Sequence, residues 1–296
     1  MQRRSFVAAL AAAAAYAQMP PRFSFAVLAD IQYADQPPTP KRDYRGSWER
    51  LSRAVDAINT ASPAFVIQLG DLVDAGAFNL PRILPIYRSL HARQYHVLGN
   101  HDFCLPRAEL LERLGLREAW YDFTVHGWRF IVLDGMDLSL SGRAPGTPQH
   151  EAAVAMLAAL KARNAPNAQD WNGAIGEAQQ RWLADVLRQA AEQKQHAIVL
   201  CHFPVLAEAS TPQHLLWNAP EILTILESSP AVAAYMNGHD HNGGYALGHG
   251  IHFVTFPGMV ESGIRNSYTL VDVYDDRLEL RGSGTAPSRT LPLQAK

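Results

Sequence analysis

The chain has 296 residues, of which 48% are hydrophobic and 18% are charged, and its formal net charge at pH 7 is −2. This composition excludes an intrinsically disordered chain, and the near-neutral charge excludes broad electrostatic binding to a nucleic acid polymer or an anionic membrane. Two cysteines are too few for a disulfide scaffold or a thiolate-rich zinc site. Any metal must therefore be bound by His, Asp, Asn or similar side chains, and the twelve histidines are the first residues to consider.

Residues 1–17 are typical of a bacterial secretory signal peptide. Arg3 and Arg4 precede a short apolar run at 6–15, and Ala15-Tyr16-Ala17 fits a small-residue cleavage site. The Arg-Arg-x-Phe sequence also resembles a twin-arginine signal, whereas the plain alternative is an alanine-rich helix behind basic residues. The apolar run is too short to span a bilayer, and no cysteine follows it. We expect an exported protein, periplasmic or extracellular, without a stable membrane anchor.

The remaining residues, 18–296, are predicted to form a single α/β catalytic domain. Apolar runs indicate buried strands, and a 3.6-residue apolar spacing indicates helices. Strands alternate with helices early and hairpins gather late, which is typical of a sheet-centred α/β sandwich. The predicted elements are a strand at 23–29, a helix at 47–61, strands at 64–69 and 95–98, a hairpin of 120–125 with 129–133, a helix at 176–192, a strand at 196–201, a helix at 221–227, a strand at 232–236, and antiparallel segments at 245–255 and 266–280.

Polar side chains follow five of the predicted strands at the point where each strand ends. Ligands of open α/β sheets bind outside the carboxyl ends of strands, so these side chains are expected around one crevice. Carboxylate, amide and imidazole groups suit Mn²⁺, Zn²⁺ or Fe²⁺, and seven ligands are enough for two ions that share one carboxylate. Each motif alone has a structural explanation, such as a cap or a turn, but five in order are poorly explained by chance. The candidate ligands are Asp30, Gln32, Asp71, Asn100, His202, His239 and His241.

This ordered set resembles the calcineurin-like metallophosphoesterase superfamily. The pattern of that superfamily is Asp-x-His, Gly-Asp, Gly-Asn-His-Asp/Glu, a lone His and Gly-His-x-His, and here it spans residues 30–241. One departure is that Gln32 stands where His is usual. The sequence Asp-Ile-Gln-Tyr-Ala-Asp at 30–35 resembles the Mn²⁺-dependent ADP-ribose/CDP-alcohol diphosphatase subfamily. Further segments that resemble this subfamily are Trp217-Asn218, residues 238–245 and Val260-Glu261.

The resemblance implies a four-layer αββα sandwich of two mixed sheets flanked by helices. It also implies a dinuclear phosphohydrolase that cleaves the pyrophosphate bond of small nucleotides such as ADP-ribose or CDP-alcohols, with a metal-bridging hydroxide as the nucleophile. The two divalent ions would be Mn²⁺, with Fe²⁺ or Zn²⁺ also compatible. One ion would be held by Asp30, Gln32, Asp71 and His241, and the other by Asp71, Asn100, His202 and His239.

Other residues beside the motifs are candidates for supporting roles. His101 is the predicted catalytic residue, which stabilises the transition state or protonates the leaving oxygen; the alternative is a structural hydrogen bond to a carboxylate. Asp74 and Asp102 are expected to orient ligands or loops, with turn or cap carboxylates as the alternative. Nucleobase or phosphate contacts are predicted for nearby aromatic and basic residues, whose usual roles are loop packing and solvated surface charge. These are Tyr33, Tyr44, Arg45, Phe103 and Tyr245, with Arg42 and Arg265 as further cations.

Three alternative functions are compatible with parts of this sequence. A different phosphodiesterase or phosphomonoesterase of the same superfamily is the first. A purple acid phosphatase is disfavoured because Asp74 occupies the position of the iron-binding tyrosine in that group. A non-catalytic, metal-dependent binding scaffold is disfavoured because all seven candidate ligands and His101 are present. Cys104 and Cys201 are each expected to be a buried thiol, although export would permit a disulfide.

Overall fold

This computed structural model describes residues 20–294 and contains two β-sheets. The first sheet has six strands, some parallel and some antiparallel. The three strands on one side of this sheet, which include the first strand of the chain, run parallel to one another, and the three strands on the other side pair antiparallel. In spatial order the strands are β12 (Arg289–Pro292), β11 (Arg277–Gly284), β10 (Ser267–Val273), β1 (Phe23–Leu28), β2 (Phe65–Gln68) and β3 (Arg93–His96).

The second sheet is also six-stranded and mixed. Its four inner strands are parallel, and an antiparallel strand closes each edge. In spatial order the strands are β4 (Tyr121–Val125), β5 (Trp128–Val132), β6 (Ala197–Leu200), β7 (Val232–Asn237), β9 (Ile251–Thr255) and β8 (Gly244–Gly248).

Helices cover the outer face of each sheet. The α-helices of the described residues are α1 (Ser47–Ala61), α2 (Leu80–Arg88), α3 (Arg107–Leu114), α4 (Pro148–Ala162), α5 (Glu177–Glu192) and α6 (Ala219–Glu227). The apolar faces of α1, α2 and α3 pack against the first sheet, and those of α5 and α6 pack against the second. No helix within residues 20–294 has both the length and the apolar character needed to cross a bilayer.

The alternation of side chains along β1 explains the layered core. Phe25 and Val27 point between the two sheets, whereas Ala26 and Leu28 point toward the helices, because successive strand residues face opposite sides. All four side chains are apolar, as expected for a strand that is covered on both faces. The predicted αββα sandwich of two mixed sheets flanked by helices is therefore confirmed.

Some local details differ from the predictions. The third strand is Arg93–His96 rather than 95–98, and the helices α2, α3 and α4 were not predicted. The predicted signal segment at 1–17 lies outside the described residues. Cys104 and Cys201 are free thiols, of which Cys201 is buried and Cys104 half-buried.

The carboxyl ends of the parallel strands of both sheets meet at one edge of the sandwich. Backbone hydrogen bonds join the turns there: Asp30 N–H donates to the Gly70 carbonyl at 3.2 Å, and Gly238 N–H donates to the His202 carbonyl at 3.0 Å. The His239 N–H, after β7 of the second sheet, donates to the Asp30 carboxylate at 3.1 Å, after β1 of the first sheet. The site described next is thus built by both sheets.

Candidate metal centre

The seven candidate ligands all lie in the turns that follow β1, β2, β3, β6 and β7. Four of them have left-handed backbone, with φ of 50° at Asp30, 43° at Gln32, 58° at Asp71 and 68° at His239. Non-glycine residues pay a conformational free-energy cost for this geometry, which persists where the surroundings over-determine it and is frequent at functional sites. A concentration of strained turns at one sheet edge therefore marks a functional centre.

Glycine is required beside these turns because the space is taken. Gly70 has φ of 100°, and a Cβ at this position would lie 2.3 Å from the His202 Nδ1 atom. At Gly99 a Cβ would lie 2.2 Å from the Asp71 Oδ1 atom. The Gly-Asp and Gly-Asn pairs of the sequence are thus explained by close approach between the turns.

The first group of candidate ligands surrounds the Nε2 atom of His202. This nitrogen lies 3.1 Å from Asn100 Oδ1, 3.3 Å from Asp71 Oδ2 and 3.1 Å from His239 Nδ1. Asp71, His202 and His239 are buried, and one donor atom from each of them lies within 4.8 Å of the other two. Carboxylate, amide oxygen and two imidazoles therefore converge on a single point.

The hydrogen bonds on the far side of both imidazoles fix which nitrogens carry protons. His202 Nδ1 lies 2.8 Å from the Leu69 carbonyl oxygen, and His239 Nε2 lies 2.9 Å from Asn172 Oδ1. Both partners are acceptors, so these outer nitrogens donate and the inner nitrogens carry lone pairs when the rings are neutral. In that neutral state the lone pairs converge at 3.1–3.3 Å, where they repel one another, and a bound cation relieves this repulsion.

The second group contains Asp30, Gln32 and His241. His241 Nε2 lies 3.3 Å from Asp30 Oδ1 and 3.3 Å from Gln32 Nε2, and Gln32 Nε2 lies 3.0 Å from Asp71 Oδ2. The outer His241 Nδ1 lies 3.0 Å from a carboxylate oxygen of Glu261. The Gln32 Oε1 atom is buried and has no hydrogen-bond partner among the described residues, and a flip of the amide would turn this oxygen toward Asp71 and His241 as a ligand for a cation. Asp71 contacts both groups.

The charges at the centre favour additional positive charge. Burial opposes ionisation of Asp71, but His202 and His101 outweigh burial and hold its pKa well below the usual range. Burial also lowers the pKa of His202, but Asp71 outweighs burial and raises that pKa to about 9. Burial lowers the pKa of His241 as well, and Asp30 raises it to about 9. The carboxylates thus stabilise cations at this site.

His101, Asp74 and Asp102 lie at the same centre. His101 Nδ1 is 2.9 Å from Asp74 Oδ1, and the His101 backbone N–H donates to Asp71 Oδ1 at 2.8 Å. Burial lowers the pKa of His101, but Asp71 and Asp74 outweigh it, so the pKa is raised. The Asp102 carboxylate accepts the backbone N–H groups of Gly99 at 2.9 Å and of Asp71 at 3.0 Å, and so joins the turns after β2 and β3.

A cavity of about 340 Å³ opens beside both groups of candidate ligands. Its size suits a small molecule rather than a polymer. Arg42 lies on its wall and forms an ion pair with Glu261 at 3.2 Å, and Trp171 presents a large, partly exposed ring. The lining residues are Gln32, Arg42, Asn100, His101, Trp171, His214, His239 and His241.

The aromatic residues that were predicted to contact substrate lie elsewhere than the cavity wall. Tyr33 is buried, and its ring packs against Trp48 with centroids 5.8 Å apart. The guanidinium of Arg107 lies over the Phe103 ring at 4.7 Å. The hydroxyl of Tyr245 forms a hydrogen bond with His252 at 3.0 Å. These side chains pack loops and sheet edges.

Tyr44 and Arg45, for which substrate contacts were predicted, also lie off the wall of this cavity. The exposed Arg45 pairs with Asp35 at 2.8 Å, and Tyr44 is a hydrogen-bond partner of Arg42. Neither they nor Arg265 lies on the wall of this cavity, whereas Arg42 does. The loop at 41–45 thus contributes one of its cations to the cavity.

Four side chains at the centre carry no motif that assigns a role. Glu261 holds His241, and its sequence signal was only its place in Val260-Glu261. Trp171 and Asn172 come from the loop between α4 and α5, and His214 comes from the loop after β6. Trp171, Asn172 and His214 lie in long loops and do not directly follow a predicted strand. Their place in the sequence therefore did not indicate a role, and the folded structure is needed to place them at the site.

Three comparisons place the chain among known proteins. Residues 23–243 match the calcineurin-like phosphoesterase family model. A manganese-dependent ADP-ribose/CDP-alcohol diphosphatase of Xenopus tropicalis is 32% identical over 92% of this chain and 94% of that protein. The protein of that name from Arabidopsis thaliana is 34% identical over 89% of this chain and 94% of its own length. The crystal structure of a dimetal phosphatase from Danio rerio has a TM-score of 0.86 and 28% identity, and covers 93% of this chain and 100% of that one.

Proposed function

This chain belongs to the calcineurin-like phosphoesterase family, and on that premise we propose that it hydrolyses the pyrophosphate bond of ADP-ribose- and CDP-alcohol-like nucleotides. It is a metal-dependent phosphohydrolase. The observation that carries the proposal is the convergence of nitrogen and oxygen donor atoms on two adjacent points beside a cavity of small-molecule size. The two diphosphatases named above carry this activity in their names, and each aligns with the chain over 94% of its own length.

Two divalent ions, Mn²⁺ in the proposed enzyme, fit the two groups of donors. Asp71 is common to both groups, since its Oδ2 atom faces His202 on one side and Gln32 on the other. When bound, the ions supply positive charge to the phosphate oxygens and lower the pKa of a water molecule. One set is Asp30, Gln32, Asp71 and His241, and the other is Asp71, Asn100, His202 and His239.

The residues of the cavity wall position the substrate and its leaving group. His101 is held through Nδ1 by Asp74, so its Nε2 atom is the one available to donate a proton to the leaving phosphate oxygen. The guanidinium of Arg42 offers planar donors to the second phosphate of a pyrophosphate. Asp102 holds the turns of Gly99 and Asp71 in register and acts through these ligands.

A substrate screen of the manganese-loaded protein tests this function. We expect AMP from ADP-ribose and CMP from CDP-choline, with both products absent after the ions are removed with EDTA. Cyclic nucleotides and p-nitrophenyl phosphate, a monoester, serve as comparison substrates because they lack a pyrophosphate bond. Turnover of these esters without cleavage of ADP-ribose or CDP-choline would favour the alternative phosphodiesterase or phosphomonoesterase function.

Trp171 presents a large aromatic face on which a nucleobase could stack in this cavity, and Trp171→Ala is expected to raise the KM for ADP-ribose. Stacking of a base on an aromatic ring contributes about 1–3 kcal/mol, which corresponds to a rise of roughly 5- to 150-fold. Trp48→Ala is the matched control, because Trp48 has nearly the same exposure, 42% against 43%, and lies off the cavity wall. Equal KM values for both variants would show that Trp171 does not bind the base.

The proposed enzyme is exported and acts outside the cytoplasm. Support comes from the two arginines, the apolar run and the Ala-Tyr-Ala sequence within residues 3–17. ADP-ribose and CDP-alcohols are chiefly cytoplasmic, so the exported enzyme would act on extracellular nucleotides or lipid headgroup conjugates. Fractionation of the native host is expected to yield a chain that starts near Gln18 outside the cytoplasm; recovery only in the cytoplasm with Met1 intact would refute export.

A further inference from the structure

We propose that Asn172 is a positioning residue that fixes the tautomer and ring orientation of His239, and thereby sets the manganese affinity of the group to which His239 belongs. The inference rests on the proposed metal centre and extends it to a residue outside every motif. Asn172 lies in the loop between α4 and α5, and its side chain is fully buried.

The orientation of the Asn172 amide is determined by its neighbours. Its Nδ2 atom lies 2.8 Å from the Gln213 carbonyl oxygen and 3.2 Å from the Asn167 carbonyl oxygen. Carbonyl oxygens only accept hydrogen bonds, so the amide nitrogen must face them and the amide oxygen must face the imidazole of His239, 2.9 Å away. Asn172 is therefore an obligate acceptor for His239 Nε2.

An acceptor at Nε2 decides which nitrogen of His239 is free. With the proton on Nε2, the Nδ1 atom presents its lone pair toward His202 and Asp71. In the other tautomer the proton would sit on Nδ1 and point at His202 Nε2, which is 3.1 Å away. That internal hydrogen bond would occupy both nitrogens and compete with a cation. Asn172 disfavours this second tautomer, because the buried Asn172 oxygen would then face an unprotonated Nε2 and lose its hydrogen bond.

The position of Asn172 is in turn held by the segment that carries Gln213. The Asp240 carboxylate accepts the Thr211 backbone N–H at 2.9 Å and the Ser210 hydroxyl at 3.0 Å. Asp240 directly follows His239 in the chain. Asn172 is thus linked to His239 in two ways: directly through the imidazole, and through the 210–213 segment and Asp240. These links fix Asn172 relative to the ring that it orients.

Manganese titration of the full chain, stripped of metal beforehand, tests the inference. Wild type is expected to bind two Mn²⁺ ions, and Asn172→Ala is expected to bind one of them about 10- to 100-fold more weakly while keeping the other. Asn218→Ala is the matched control, since the Asn218 side chain is also buried and forms hydrogen bonds with the backbone N–H and carbonyl of Ile175. This control is expected to lower thermal stability and to bind both ions like wild type.

A second measurement reports the tautomer directly. In the metal-free protein with ¹⁵N-labelled histidine, His239 is expected to carry its proton on Nε2 in wild type and on Nδ1, at least in part, in Asn172→Ala. Unchanged affinity for both ions, or an unchanged tautomer in Asn172→Ala, would overturn the positioning role. The proposed function is tested separately by the wild-type protein. If wild type binds two ions and cleaves ADP-ribose while either of these outcomes is found for Asn172→Ala, the positioning role fails and the proposed function stands.

Discussion

Asp71→Asn is expected to abolish binding of both manganese ions and to lower ADP-ribose turnover by about 10³-fold or more. Asp71 contacts both groups of donors, through His202 at 3.3 Å and Gln32 at 3.0 Å. Its negative charge stabilises both bound ions. The charge of the ions stabilises the transition state by several kcal/mol, and each 1.36 kcal/mol that is lost lowers the rate tenfold. Asparagine tolerates the left-handed backbone at this position, so the fold should persist.

Metal analysis after gel filtration, together with the turnover rate, measures this effect. Asp134→Asn is the control, because Asp134 is likewise fully buried and paired, in its case with Arg107 at 2.6 Å. The control is expected to lower the melting temperature, since it leaves a cation without its partner, and to retain both ions. An Asp71→Asn protein with two bound ions would contradict the assignment of a shared ligand.

His101→Ala is expected to retain both ions and to lose about 10²- to 10⁴-fold in kcat. The ring lies on the cavity wall and its Nδ1 atom is held by Asp74, whereas the hydrogen bond from His101 to the candidate ligand Asp71 comes from its backbone N–H. Removal of the imidazole therefore leaves the donors in place and deletes the proton donor. His249→Ala, in the exposed turn between β8 and β9, is expected to behave like wild type.

The leaving group distinguishes acid catalysis from general disturbance of the site. We expect the loss in His101→Ala to be larger for an alkyl ester of a nucleoside monophosphate than for its p-nitrophenyl ester, because p-nitrophenolate leaves without a proton. A pyrophosphate substrate, whose leaving group is a nucleoside monophosphate, should fall between them. Unchanged turnover of ADP-ribose would refute the role of His101.

The regular part of the fold could be predicted because its patterns are unambiguous. The helix at 47–61 was predicted with the bounds that the structure shows, since its buried residues recur at helical spacing. The strand at 23–29 is apolar along its whole length because β1 is covered by the other sheet on one face and by helices on the other. These signals are local and survive any tertiary arrangement.

The helices that were not predicted have weak or misleading local signals. Helix α2 contains Pro81 near its start and Pro85 in its interior, and proline usually indicates a helix end. Helix α4 is rich in alanine and buries few side chains, so its sequence shows little amphipathic pattern. Strand β3 begins with the exposed Arg93, which hides the start of a strand at the sheet edge. Tertiary contacts determine these elements.

The same distinction holds for the metal centre. The candidate ligands could be predicted because each directly follows a strand, and strand ends meet at one edge of a sheet. Asn172 and Trp171 could not, because the loop between α4 and α5 reaches the site only through the packing of that loop on Gln213 and Trp217. Aromatic residues next to motifs, such as Tyr33, were poor guides to the cavity because their side chains were needed for packing.

The division of the donors between the two sheets has a consequence for folding. Asp30, Asp71 and Asn100 follow strands of the first sheet, whereas His202, His239 and His241 follow strands of the second. Neither sheet alone can assemble either group, so the ions bind the native chain and not a half-folded one. Bound manganese should then stabilise the packing of the two sheets against each other. At a free concentration 100 times the Kd, each ion adds about 2.7 kcal/mol to the free energy of unfolding.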